Sequence, residues 1–267
     1  MTWTFSGKSR RIAAVPAARL PPFASVRASS GVPLYRAVKR ELLAAIEDGR
    51  LPPGSVLPAE APLAASFGVA IGTLRQAVGE LAAEHLLLRR QGRGTFVAEH
   101  SPERFLFQFF HVERADGHRE APAVETLAVE RGRLDEDAAE ALGGRAGDPA
   151  WCIQNRLLLQ GRALVHDRLQ LPATLVRGLT EKRFRERPGT IYRFYQDNFG
   201  ITVLRARERV RAVAASSEIA RALGVTRGTP VLEVRRTALS FGDRPVEYRV
   251  STIVSGSHEY VQTLDRS

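Results

Sequence analysis

Between Leu57 and Val97 the spacing of apolar residues changes period, and the change predicts the local structure. Leu74, Ala77, Val78 and Leu81 recur at i, i+3, i+4 and i+7, which places them on one buried face of a helix. The opposite face carries Gly72, Arg75, Gln76 and Gly79. A cation, an amide and little bulk suit close approach to a phosphate backbone and to base edges in a major groove. A short apolar run from Leu86 then closes on Arg89 and Arg90, Gly92 and Gly94 bracket Arg93, and Thr95, Phe96 and Val97 resume a β-prone pattern. This predicts a β-hairpin with a cationic, glycine-rich tip. Helix, turn, helix and basic hairpin in that order predict a winged helix. Taken singly, each feature also fits an αα-hairpin with a solvated charged surface.

Upstream, Leu34, Val38, Leu42 and Ile46 recur every fourth residue and give a first helix one apolar face, ended by Gly49 and the Leu51-Pro52-Pro53-Gly54 run. Pro62 lacks a backbone donor, so the helix before the turn is expected to start near Glu60 or Ala61. Residues 99–104 are polar, contain Pro102 and read as a linker between a domain spanning 33–98 and a second spanning 105–265. In the second domain, FLFQFFHVE and VETLAVERG read as strands, and Leu134 to Leu142 as a helix closed by Gly143 and Gly144. Two hairpins follow, turning near Gln160-Gly161 and near Gly242-Asp243. Between them come an aromatic helix (Ile191, Tyr192, Phe194, Tyr195, Phe199), a strand over 201–213 and a helix beginning near Ser216. The hairpins overlay if one turn absorbs an extra residue, setting Arg156 on Arg236 and Val165-His166-Asp167-Arg168 on Val246-Glu247-Tyr248-Arg249. If that faint repeat is real, two related half-sheets face one cavity. Arg205, Arg207, Arg209 and Arg211 share one face of the intervening strand, a pattern usually solvated.

A chain of 267 residues, 44% hydrophobic, is long enough for two cores. The net charge of +10 points to an anionic partner, but Lys8, Arg10, Arg11, Arg19 and Arg27 put half of it in an acid-free stretch. Residues 1–32, rich in Pro, Ala and Ser, read as a disordered basic tail. No apolar stretch approaches the roughly 20 residues of a membrane span. The single cysteine, Cys152, excludes an internal disulfide and is expected in the core; it is compatible with a reducing cytoplasm. The six histidines form no metal-ligand spacing, and His166 and Asp167, adjacent on a strand, point to opposite faces and make no dyad. No cofactor is expected.

The motifs PLYRAVKRELLAAIEDGRLPPGSVLPAE, FGV, TLRQAVGEL and RRQGRGTFV, in that order over residues 33–97, resemble the GntR family of bacterial transcription regulators. From about Phe105 the chain is similar to the UTRA ligand-sensing domain of the HutC-like branch, through TIYRFYQDNFGI, EIARALGV, PVLEVRR and RPVEYRVS. The resemblance implies an α+β protein: an N-terminal winged helix-turn-helix and a C-terminal sensor of chorismate lyase-like fold with a largely antiparallel sheet. It implies a cytoplasmic homodimer on a palindromic double-stranded DNA operator, most simply a repressor, with DNA contacts from Arg36, Gly72, Thr73, Arg75, Gln76, Arg90, Gly92, Arg93 and Gly94. Two arginines usual in the family are replaced by Ala61 and Ile71, so the operator is expected to differ from the family's, with weakened or lost DNA binding the open alternative.

The same resemblance implies an effector site built from Arg156, Thr190, Tyr192 and Glu247, with His166 and Arg236 in a second rank because the frame of the first hairpin is uncertain by a residue. Guanidinium groups would fork onto a carboxylate or phosphate, so an anionic metabolite is expected. The first hairpin has Arg156-Leu157-Leu158 where the family often has Arg-x-Arg. Two other readings stay open: an enzyme of chorismate lyase-like fold, and a DNA-binding protein with an empty sensor.

Overall fold

A computed structural model of the protein describes residues 23, 25, 26, 31, 33–100 and 108–262. The chain forms two compact units that divide between Glu99 and His100. In the first, α1 (Leu34–Glu47), α2 (Glu60–Phe67) and α3 (Ile71–Ala83) precede the hairpin of β1 (Leu87–Arg90) and β2 (Gly94–Val97). Val38, Leu42 and Ile46 of α1 and Leu74, Ala77, Val78 and Leu81 of α3 are buried, as their spacing predicts. Lys39 of α1 locks the pair by bridging Glu80 of α3 at 2.7 Å and Glu84 at its C-terminal cap at 2.6 Å. The hairpin pairs Leu87 with Val97 and Arg90 with Gly94, and Val56 adds a bridge to Phe96. Gly92 and Gly94 have φ of +68° and +102°, which a side chain would strain, so the tight tip depends on them.

The tail expected to be disordered is docked at one point. Phe23 is buried, its ring 4.6 Å from that of Phe67, and the Val26 amide donates to the Phe67 carbonyl. The end of α2 leaves apolar surface that an aromatic ring covers, a local apolar signal that the basic composition of the tail hides. The remainder of residues 1–32, with the basic residues counted above, lies outside the described residues.

The second unit contains β3 (Val112–Arg114), β4 (Ala123–Arg133), α4 (Glu136–Leu142), β5 (Pro149–Leu159), β6 (Arg162–Pro172), α5 (Glu181–Arg185), α6 (Ile191–Phe199), β7 (Arg205–Ala214), α7 (Ser217–Leu223), β8 (Pro230–Leu239), β9 (Pro245–Ile253) and β10 (His258–Tyr260). Six strands form one antiparallel sheet in the order β4-β5-β6-β9-β8-β7, and β3 pairs with β10 apart from it. The sheet is two copies of a β-α-β-β unit joined where β6 meets β9. The helix of each copy starts on a side-chain cap, Asp135 or Ser216, and ends on a left-handed glycine, Gly143 or Gly224.

The two faces of the sheet are covered differently. On one, Trp151, Ile153, Leu169, Leu171 and Ala238 pack with Phe184, Tyr192, Phe194 and Tyr195. On the other, α4 packs over β9, through Tyr248 and Val250, and α7 over β6. The strand expected over FLFQFFHVE is confined, among the described residues, to Val112–Arg114, and Phe109 turns into the core instead. The strand expected from Ile201 begins at Arg205, because Ile201, Val203 and Leu204 are buried before it. Of the linker expected over 99–104, His100 is buried in the second unit, donates its backbone N–H to Gln196 and accepts from the Val203 amide, and residues 101–104 lie outside the described residues.

Cys152 is half-buried rather than fully enclosed, and burial raises its thiol pKa. A Cβ at Gly132 would stand 2.7 Å from its Sγ. Gly132→Ala is therefore expected to destabilise the protein by about 1–3 kcal/mol, most of it recovered when Cys152→Ala is added. Urea unfolding of the two single variants and the double variant measures this coupling.

Candidate nucleic-acid interface and ligand pocket

Burial of the apolar stripe of α3 turns its polar face outward. Gly72, Arg75 and Gln76 are exposed and Thr73 is partly exposed at the first turn. Arg75 Nε lies 2.6 Å from Glu60 at the start of α2. Both side chains are well exposed, so this pair orients Arg75 at little cost to its release. On the hairpin, Arg93 is exposed beside Gly92 and Gly94, and the Arg90 guanidinium lies over the Phe96 ring at 4.8 Å. Arg36 is exposed on α1 and donates to the Tyr35 hydroxyl. The positions where arginines were missed, Ala61 and Ile71, are also exposed, Ile71 by 40%.

In the second unit the alternation of strands separates the expected effector residues into two groups. Arg156 pairs in register with His166, and both lie on the face covered by α7. Arg156 bridges Glu125 at 2.6 Å and donates to the Ala222 carbonyl of α7, so it fastens that helix. His166 is buried beside it, and burial lowers its pKa against the opposing pull of Asp167 and Glu218. Tyr192, Arg236 and Glu247 meet on the opposite face. The effector set expected from the sequence is thus not one cluster, and Arg156 and His166 are corrected as members of it.

The physical reason is the two-residue period of a strand: a slip of one residue exchanges the faces. Register pairs Arg236 with Arg249 on one hairpin, and Asn155 with Asp167 on the other. Asn155 and Asp167, not Arg156 and Arg168, therefore match Arg236 and Arg249. A signal for the correct frame lies outside the hairpins. Ala141-Leu142-Gly143 with Gly147-Asp148-Pro149, and Ala222-Leu223-Gly224 with Gly228-Thr229-Pro230, are equally spaced and set Asn155 on Arg236.

The face beneath α6 carries a buried ionic network. Arg249 lies 2.9 Å from Glu247 and 3.2 Å from Asp167, crossing the junction between β9 and β6. Ser251 donates to Asp167 at 2.6 Å, and Tyr195 donates to Glu247 at 2.7 Å. Tyr192 reaches the same carboxylate at 3.4 Å; burial, then the Glu247 charge, push its phenol up to about 12. Thr190 caps α6, accepting from the Arg193 amide, and so positions Tyr192 indirectly. Arg236 pairs with Glu208 and donates to the Phe109 carbonyl, while Tyr260 donates to the second Glu208 oxygen. Burial pushes the Glu208 carboxyl up, but Arg236 and Tyr260 outweigh it and hold the group below its usual range. A small cavity of about 30 Å³, partly open to solvent, is lined by Phe110, Asp167, Arg236, Arg249, Ser251 and Tyr260 among others. Asp167, Arg249, Ser251, Glu208 and Tyr260 were not nominated by the sequence. Among the described residues no cluster of three His, Cys, Asp or Glu side chains is placed to hold a metal, and no helix is long and apolar enough to cross a membrane.

A winged-helix unit followed by a sheet unit with a buried ionic network beside a small cavity fits a class: transcription regulators that read DNA and respond to a small molecule. The model of the bacterial regulatory proteins of the gntR family matches residues 34–97, and that of the UTRA domain matches residues 117–259. The chain is similar to the histidine utilization repressor of Pseudomonas putida, 31% identical over 85% of this chain and 91% of that protein. It is also similar to the transcriptional repressor NagR of Bacillus subtilis, 27% identical over 91% of this chain and 99% of that one. The ligand-binding domain of a Bordetella bronchiseptica protein assigned to the GntR-family regulators matches 60% of this chain and 99% of its own, at 33% identity and a TM-score of 0.55. The chain belongs to the GntR family of transcription regulators, in its HutC-like branch with a UTRA domain.

The Glu208 carboxylate carries a prediction of pH dependence. Its folded pKa lies below the unfolded value of about 4.3, so its contribution is complete above that pH and is lost as pH falls through the folded value. Glu208→Gln is expected to cost about 3–5 kcal/mol at neutral pH, because it leaves Arg236 buried without its anion. It should also flatten the acid limb of stability. Urea midpoints of both proteins across the acid range measure both effects.

Proposed function

We propose that this protein is a repressor that binds a palindromic operator as a homodimer and releases it when a small metabolite occupies the second unit. The observation that carries the DNA half is the division of α3, with Leu74, Ala77, Val78 and Leu81 buried and Gly72, Arg75 and Gln76 exposed beside a glycine-tipped cationic hairpin. In this reading Gly72, Thr73, Arg75 and Gln76 enter the major groove, while Arg90, Gly92, Arg93 and Gly94 of the wing and Arg36 of α1 meet the backbone and the adjacent groove. A two-fold pairing of such units sets two reading helices a helical turn apart on one face of the duplex, which is why the operator is a palindrome. The names of the similar proteins from Pseudomonas putida and Bacillus subtilis support repression.

Ala61 and Ile71 stand exposed where the resemblance implies arginines, so this reading head has lost two guanidinium contacts and presents a methyl and an apolar side chain. Apolar contact favours a thymine methyl over a guanine edge. The operator should therefore be richer in A·T pairs at those positions. Effector binding acts by population shift: the ligand favours a placement of the two reading heads that no longer fits both half-sites. The effector occupies the face that brings Tyr192, Arg236 and Glu247 together, with Thr190 holding the helix above them.

Selection of bound sequences from random duplex DNA with the full chain is expected to enrich a palindrome. Arg75→Ala should then lower affinity for that sequence by about 5- to 150-fold, the equivalent of about 1–3 kcal/mol, with a smaller change on random duplex. An enriched site that is not symmetric, or equal losses on both duplexes, would overturn the proposed mode of reading.

A further inference from the structure

Two arginines, Arg236 and Arg249, are buried on the α6 side of the second unit, and a third, Arg187, is partly buried there and differs from them in one respect. Arg236 is matched by Glu208, and Arg249 by Glu247 and Asp167. Arg187, in the segment between α5 and α6, has no carboxylate within ion-pair distance among the described residues. Its guanidinium stacks on the Phe184 ring at 4.1 Å and donates through Nη1 to the Phe184 carbonyl at 2.7 Å. The same nitrogen reaches Thr126 Oγ1 at 3.4 Å, and Nε is buried without a partner. A desolvated cation with an idle donor is costly unless an anion completes it. Burial, together with the charge of Arg249, draws its pKa down to about 10, against the opposing pull of Tyr195.

Its position links it to the polar face of the sheet. Thr126 is in register with Asn155, and Asn155 with Asp167, so Arg187 stands at the head of a polar row that leads to Ser251 and Arg249. Asn155 Oδ1 is also buried without a partner, an acceptor that a hydroxyl of the ligand would satisfy. Asn155 occupies the position that the repeat equates with Arg236, so the first hairpin brings no guanidinium to this face, and the Arg187 segment brings one from above.

We propose that Arg187 is the anion-binding residue of the effector site, its guanidinium receiving a carboxylate or phosphate oxygen of the ligand beside Asn155. The assignment rests on the reading of the second unit as the effector-binding one. It moves the anionic end of the ligand from Arg156, which lies on the other face, and from Arg236, which is already matched, to a residue outside the strands. Phe184 holds the guanidinium plane fixed, which favours a planar or forked oxyanion over a monatomic one.

The test uses the full chain in a Trp3→Phe background, where Trp151, buried in the second unit, is the remaining tryptophan and reports its unfolding. Thermal unfolding is followed in chloride and in matched ionic strengths of inorganic phosphate or acetate. The unfolding temperature is expected to rise with the concentration of one anion, as ligand linkage requires. A rise with phosphate alone identifies a phosphate ligand, and with acetate alone a carboxylate. Arg187→Gln should abolish the rise and, in chloride, unfold at the same temperature or higher, because an unmatched, partly buried charge has been removed. The proposal is overturned if neither anion has an effect, if the rise survives in Arg187→Gln, or if that variant unfolds lower in chloride, which would make Arg187 a structural brace. Operator binding by both proteins in chloride separates the two readings. Binding that is intact while the anion response survives removes only the role of Arg187; wild-type protein that selects no operator removes the regulator model itself.

Discussion

The Arg249 guanidinium sits where the two halves of the sheet meet, and much of the second unit depends on how it is satisfied. It extends from β9, pairs with Glu247 on its own strand and reaches across the junction to Asp167 on β6. Coulomb attraction within a protein scarcely offsets the loss of hydration of such groups, so the gain from the network as a whole is small. Removing any one member is another matter, because it strands an opposite charge in a dry place. The network therefore acts less as a source of stability than as a constraint on register. A strand displaced by one residue would turn Asp167 or Arg249 away from its partner and bury it against α4 or α7.

That constraint explains what was legible in the sequence and what was not. Wherever one face of an element is buried and the other solvated, periodicity sufficed: α1, α3, the wing and the aromatic helix α6 lie where their apolar spacing predicts. β6 is buried on both faces from Leu164 to Asp167, and β5 alternates only between buried and partly exposed residues, so alternation weakens and the frame is lost. Arg156 matched the expected chemistry, but Asn155 and Asp167 occupy the face. The spacing of Gly143 and Gly147 against Gly224 and Gly228 carries the frame better than the hairpins do, since a left-handed helix cap fixes the backbone whatever the strands hold. Docking of Phe23 on Phe67 was hidden for a different reason. A single aromatic ring in a basic, proline-rich stretch has no period to betray it.

In the winged-helix unit the informative residues are those that depart from expectation. Arg75 is held by Glu60 across the turn, an exposed pair that contributes little to stability and keeps the guanidinium in one region of space. Exposed Ile71 at the start of the same helix is harder to explain by packing, since it contributes little to the core formed by Leu74, Val78 and Leu81. An apolar side chain retained on a surface otherwise made of Gly72, Arg75 and Gln76 has a use if the surface meets thymine methyl groups, and a cost in water if it does not.

The two proposals meet in the energetics of the unliganded protein. A small molecule shifts an equilibrium only as far as it binds one state better than the other. A pocket whose charges were all internally matched would offer little difference between states, because its ligand would have to break an existing ion pair to make a new one. Arg236 and Arg249 are in that position, held by Glu208, Glu247 and Asp167. Arg187 is not: its idle Nε and its unmatched charge burden the unliganded state and are relieved only when an oxyanion arrives. The differential affinity that a sensor requires is then concentrated at the residue that the fold leaves without a counter-ion, while the ion-paired network around Arg249 keeps the sheet in register through the change.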